Sequence, residues 1–219
     1  MTAKILIVDN EKHIISTLQA ALSNYDYQID EAYDGDQAYQ MLSANKYDCI
    51  LLDLRLPKKD GMELLRELSP ANVILITAHG TIDNAVEAMK LGCVDFIQKP
   101  FSIDEVRQAV KLVLERKQLA YEQHLQYESY LEAAKLNVSE RHYRKALELI
   151  DKALEINPES AEAFNFMGAL HEILGDIPQA YQAYQMAHSL DPSYLPATEN
   201  LTRVISLDNA KGIILGMNR

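Results

Sequence analysis

Over residues 1–101, short apolar runs alternate with amphipathic segments, and four of the runs end abruptly in polar residues. Lys4-Ile5-Leu6-Ile7-Val8 passes into Asp9-Asn10-Glu11, and Cys49-Ile50-Leu51-Leu52 into Asp53. Asn72-Val73-Ile74-Leu75-Ile76 ends at Thr77, and Cys93-Val94-Asp95-Phe96-Ile97-Gln98 at Lys99-Pro100. The third and fourth runs are apolar throughout, as parallel strands covered on both faces must be. Alternating strands and helices predict an α/β fold, a doubly wound five-stranded parallel sheet with right-handed crossovers. Strands are expected near 4–8, 27–31, 48–53, 72–76 and 94–98, and helices near 12–24, 35–44, 61–68, 82–91 and from 102 onward. Such sheets take their ligands at the carboxyl ends of the strands. The run endings therefore gather two acids (Asp9, Asp53), a hydroxyl (Thr77) and an ammonium (Lys99) at one edge. Hard oxygen donors suit a divalent cation, and an oxygen nucleophile beside positive charge suits a phosphoryl group held on a carboxylate.

The charge balance narrows the partners. The formal net charge is −11; residues 1–126 carry 13 Lys+Arg against 19 Asp+Glu, and residues 127–219 carry 8 against 13. Neither part has the basic footprint that phosphate-backbone binding needs, so no nucleic-acid partner is expected. Cys49 and Cys93 each open an apolar strand outside any CxxC pattern, and read as reduced core thiols. The first strand begins almost at the amino terminus, which leaves no room for a signal peptide, and no apolar stretch approaches the ~20 residues that span a bilayer. The expectation is a soluble, cytoplasmic protein with no membrane partner.

From Ser102 the pattern turns helical. Ser102 is a candidate cap, with Asp104 and Glu105 in the first turn. Glu115–Glu128 contains neither Gly nor Pro and reads as continuing helix. Beyond it the sequence repeats every 34 residues: Tyr130 with Phe164, Ala134 with Gly168, Ala146 with Ala180, Ala153 with Ala187, and Asn157-Pro158 with Asp191-Pro192. That period belongs to helix–turn–helix arrays, in which small residues sit where helices cross closely.

The first region resembles a response-regulator receiver domain of two-component signalling. The resemblance rests on Asp9, on Asp53 in ILLDLRLP, on Lys58-Lys59-Asp60-Gly61, on Thr77-Ala78-His79-Gly80 and on Lys99-Pro100-Phe101. It implies that Asp53 accepts a phosphoryl group from a histidine kinase or phosphotransfer protein, assisted by Thr77 and Lys99. It implies Mg²⁺ bound by Asp9, Asn10, Asp53 and the Arg55 carbonyl, and a switch built on Thr77 and Phe96. Asn10 departs from the family, which usually has a second acid there. Weaker Mg²⁺ binding is expected, with Glu11 as an open alternative ligand. Catalysis beyond phosphoryl acceptance and self-dephosphorylation is not expected. Lys58-Lys59 reads most simply as a solvated loop.

The second region resembles two tetratricopeptide (TPR) repeats. Phe164, Met167, Gly168, His171, Ala180, Tyr184, Ala187 and Pro192 occupy the second repeat's signature positions. The division is a receiver domain over 1–117, a helical connector over 118–126, and repeats over 127–160 and 161–194. A capping helix over 195–207 and an unassigned tail from Asp208 follow. The resemblance implies a groove for a protein or peptide partner, lined by Glu128, Leu131, Lys135, Glu162, Asn165, Ala169 and Glu172. The combined expectation is a response regulator with a protein-interaction output. The alternatives are a phosphorylation-independent scaffold with a degenerate receiver, and a transcriptional regulator. If the protein forms a homodimer, the face between the fourth and fifth helices and the repeats are the candidate surfaces.

Overall fold

The computed structural model describes residues 2–68, 72–78, 82–206 and 212–216. The sheet consists of β1 (Ala3–Val8), β2 (Tyr27–Ala32), β3 (Cys49–Leu52), β4 (Val73–Thr77) and β5 (Cys93–Gln98), all parallel, in the order β2-β1-β3-β4-β5. The helices between them are α1 (Lys12–Leu22), α2 (Gly35–Ala44), α3 (Gly61–Leu68) and α4 (Ile82–Lys90), and α5 (Ile103–Ser139) follows β5. Strand geometry sends successive side chains to opposite faces, so each apolar strand feeds two cores. Ile5, Ile7, Leu51, Ile74 and Ile76 pack with Ile15 and Leu18 of α1 and Val106 and Val110 of α5. Leu6, Val8, Ile50, Leu52, Val73 and Leu75 pack with Ala38 of α2, Leu64 and Leu65 of α3 and Ala88 of α4. Both cysteines are buried and unpaired. The chain leaves β1 for β2 on one side and returns to β3 on the other, which opens a crevice between the ends of β1 and β3.

Ser102 caps α5 as the sequence predicts, and Glu105 closes a capping box: Glu105 N–H donates to Ser102 Oγ at 3.1 Å, and Ser102 N–H to Glu105 Oε2 at 3.4 Å. The helix then runs unbroken to Ser139, through the stretch read as a connector. Contacts group residues 1–119 and 120–219 into separate units.

The second unit is all-helical. After the end of α5 come α6 (Tyr143–Ile156), α7 (Ala161–Ile173), α8 (Ile177–Leu190) and α9 (Leu195–Ser206), each packed on the next. α6 and α8 start 34 residues apart, as do α7 and α9. Gly168 permits the close crossing of α7 and α8, because a Cβ there would lie 2.6 Å from the Tyr184 ring. Among the described residues, no helix is long and apolar enough to cross a membrane.

A buried ion pair ties α9 to α7. Arg203 donates through Nη1 and Nη2 to the Glu172 carboxylate, which also accepts from Tyr184 Oη at 2.9 Å. Burial pushes the Glu172 pKa up, and the Arg203 and Tyr184 hydrogen bonds outweigh it and hold the carboxyl below its ordinary range. Such a group stabilises the fold above its unfolded pKa, and the contribution is lost as pH falls through the folded value. Arg203→Leu strands a buried carboxylate and should lower the unfolding free energy by about 3 kcal/mol at neutral pH. In urea unfolding of the full chain, the difference from wild type should narrow on acidification. A difference independent of pH would assign the loss to packing instead.

Candidate functional site

The crevice between β1 and β3 brings together residues distant in sequence. Asp9 follows β1, Asp53 follows β3, Thr77 ends β4, and Lys99 lies just beyond β5. Asp9, Asp53 and Thr77 are only 1%, 6% and 0% exposed. Lys99 Nζ donates to Asp9 Oδ2 at 2.6 Å and to Asp53 Oδ2 at 2.7 Å, and lies 3.6 Å from Glu11 Oε1. One ammonium therefore bridges both buried acids.

The backbone fixes the remaining carboxylate oxygens. Glu11 N–H donates to Asp9 Oδ1 at 2.8 Å, and Arg55 N–H to Asp53 Oδ1 at 3.2 Å. Asp53 N–H donates to Val8 O at 2.9 Å, which joins the ends of the two strands, and Lys99 N–H donates to Thr77 O at 3.0 Å. Burial is the largest influence on Asp9 and raises its pKa, despite Lys99 and the Glu11 N–H. For Lys99, burial opposes the charge, and hydrogen bonds and attraction from Asp53 and Asp9 prevail and raise its pKa. The site is thus an anionic pocket organised around a charged lysine.

Carboxylate oxygens of Asp9, Glu11 and Asp53 all lie within 4.8 Å of one another. Asn10, named from sequence as a ligand, is exposed, whereas Glu11 brings a third carboxylate to the pocket. The Asp9 side chain accepts the Glu11 N–H in a local turn of the β1 loop, and the acid two residues after Asp9 is the one sequence signal for Glu11 at the site. Arg55 is exposed, and its N–H is committed to Asp53. Phe96 is partly buried on β5, opposite Leu75, and packs on the core beneath α3 and α4. His79 and Gly80 lie outside the described residues. Lys58 is exposed, as a solvated loop implies, and pairs with Asp34 at 2.7 Å, whereas Lys59 is partly buried, pairs with Glu67 and lies 4.3 Å from the Tyr39 ring centre.

The proposed groove residues divide. Leu131 and Ala169 are buried in helix packing, and Glu172 is committed to Arg203 and Tyr184. Glu128 is exposed, and Lys135 lies between Glu132 and Glu162, at 3.0 and 3.9 Å. Asn165 is fully buried and donates to backbone carbonyls of the described tail.

The family described as response regulator receiver domain matches residues 5–111. These residues are a response regulator receiver domain. Over 121 residues the chain is 43% identical to the transcriptional regulatory protein SrrA of Staphylococcus aureus, covering 54% of this chain and 50% of that protein. The chain thus spans about half the length of the curated relatives it matches. NtrX from Brucella abortus superimposes with a TM-score of 0.50 at 32% identity, over 56% of this chain and 29% of that one. The signal receiver domain of an HD domain-containing protein from Pseudomonas fluorescens gives 0.50 at 28% identity, over 54% of this chain and 98% of that one.

In the receiver domain, Lys99→Met would leave Asp9 and Asp53 facing each other without a cation, at an expected cost of about 3 kcal/mol at neutral pH and low salt. Adding Asp9→Asn should restore much of that loss by removing the repulsion. Chemical denaturation of the single and double variants measures the coupling. Strict additivity would show that the ammonium does not bridge the two acids.

Proposed function

We propose that Asp53 is a phosphoacceptor, and that the helical unit is a tandem TPR domain through which the receiver's state is passed to a protein partner. The observation that carries the first part is the Lys99 ammonium within 2.7 Å of both Asp9 and Asp53 at the sheet's switch point. Asp53 supplies an oxygen nucleophile, which forms its bond to phosphorus as the bond to the donor's imidazole nitrogen breaks. Lys99 would then turn from the carboxylates to the phosphoryl oxygens. Thr77 completes the set at the end of β4, with Phe96 as the aromatic that follows its movement.

The donor set also fits a hard divalent cation, since Asp9, Glu11 and Asp53 present clustered carboxylate oxygens. Mg²⁺ bound there would neutralise charge on the transferring group. In this reading Glu11 stands in for the acid that Asn10 replaces, with the Asn10 and Arg55 carbonyl groups as neutral donors. The protein is a phosphoacceptor rather than an enzyme with an external substrate. Its donor would be a histidine kinase or phosphotransfer protein in the cytoplasm.

The TPR assignment rests on the 34-residue spacing of helix starts and on the Gly168–Tyr184 crossing. A second reading, transcriptional regulation, draws on the name of the SrrA relative. The acidic second unit weighs against it, because binding DNA requires cationic contacts to phosphates. A gel shift on genomic fragments separates the two readings.

The primary test is intact mass after incubation with a small phosphodonor and Mg²⁺. Wild type should gain one phosphoryl group and Asp53→Ala none; no gain in wild type would leave a phosphorylation-independent scaffold. In calorimetric Mg²⁺ titrations, Glu11→Gln should weaken binding and Asn10→Asp should strengthen it. An unchanged affinity in both variants would remove Asn10 and Glu11 from the metal site.

A further inference from the structure

The tail, unassigned from sequence, contains a described segment, Gly212-Ile213-Ile214-Leu215-Gly216, seated on the second unit. It is held mainly by its backbone. Asn200 Nδ2 donates to Ile214 O at 2.6 Å, and Ile214 N–H donates back to Asn200 Oδ1 at 3.0 Å. Asn165 Nδ2 donates to the carbonyls of Ile214 and Leu215 at 3.1 and 3.2 Å. Asn200 Nδ2 also donates to Asn165 Oδ1 at 2.9 Å, and Arg203 Nη2 to Asn200 Oδ1 at 3.3 Å. Both asparagines are 0% exposed. Two fully buried amides, locked together and braced by the Arg203–Glu172 pair, thus spend their hydrogen-bonding capacity on one extended backbone. With the tail in place neither amide is exposed, and a departing tail must be replaced at these groups by water or by another backbone.

Side chains add selectivity. Ile213 and Leu215 pack on the helix core while Ile214 is exposed, the alternation of an extended segment. Gly216 closes the seat: its φ is +77°, a Cβ there would fall 1.9 Å from Tyr194 Oη, and its carbonyl accepts from that hydroxyl at 3.4 Å. Gly212 has open space around it.

We infer that the Asn165–Asn200–Tyr194 surface is a peptide-binding site for an extended segment of the pattern apolar–any–apolar–Gly, and that residues 212–216 occupy it in cis as a built-in competitor. The inference deepens the reading of the second unit as an interaction domain. The ligand is recognised by its backbone, by two alternating apolar side chains and by the terminal glycine, so a partner must present that pattern to displace the tail.

The test uses the full chain and a fluorescent peptide of sequence KGIILGM, the segment from Lys211 to Met217. Gly216→Ala should expel the tail and open the site, giving at least about tenfold tighter peptide binding than wild type, because a site mostly occupied in cis loses apparent affinity in proportion. Gly212→Ala should bind as wild type does. The peptide KGIILAM should not bind Gly216→Ala, a control that needs no second protein variant. Circular dichroism establishes that Gly216→Ala keeps its helices. Equal peptide affinity in wild type and Gly216→Ala would overturn the built-in competitor and leave the interaction domain standing. No binding to a folded Gly216→Ala would overturn the peptide site itself.

Discussion

One ammonium group sets the geometry of the receiver. Lys99 is 90 residues from Asp9 and 46 from Asp53, yet its Nζ donates to both. Two buried carboxylates at the ends of adjacent strands would repel each other without it. The loops after β1, β3 and β5 are therefore held to a common centre by charge as well as by the sheet. In the proposed reaction at Asp53, the contact that stabilises the resting pocket would be exchanged for contact with a phosphoryl oxygen. On that proposal, the stability of the fold and the chemistry of the site share one side chain.

The sheet makes this arrangement possible because its central strands β1, β3 and β4 are buried between helices on both faces. α1 and α5 cover one side and α2, α3 and α4 the other, so the central strands are buried along most of their length. The two buried acids at the strand ends share one ammonium. The order β2-β1-β3 then opens the crevice beside the β1 and β3 termini. The second unit follows a different logic. Small residues at crossing points and the buried Arg203–Glu172 pair fix helices against their neighbours, and the paired asparagines turn the resulting surface toward a peptide backbone.

Much of this is legible in the residues. The apolar runs and their polar endings locate β1, β3, β4 and β5 and the Asp9, Asp53, Thr77 and Lys99 set, because a strand covered on both faces reads as a nearly continuous apolar run. The Ser102 cap and the continuing helix follow from short-range rules of capping and the lack of breakers. Less legible are Glu11, whose direction depends on the turn that Asp9 makes with its N–H, and Lys59, whose place beside Tyr39 and Glu67 depends on packing between α2 and α3. Leu131, Ala169 and Glu172 look like groove positions on a helical wheel, but contacts from neighbouring helices enclose them.

The sequence alone determined the alternation of elements, the 34-residue period and the kinds of group at the strand ends, since these depend on composition and spacing along the chain. Only the tertiary structure decided that one lysine bridges two acids, that Glu11 joins them, and that Asn165 and Asn200 clasp the tail. Most of those contacts join residues far apart in the chain, Lys99 with Asp9 and Asp53 and Asn165 with the tail, and their partners are set by strand order and helix packing in three dimensions. No local propensity encodes that choice; burial does, by making each unsatisfied charge or amide costly until its partner is found.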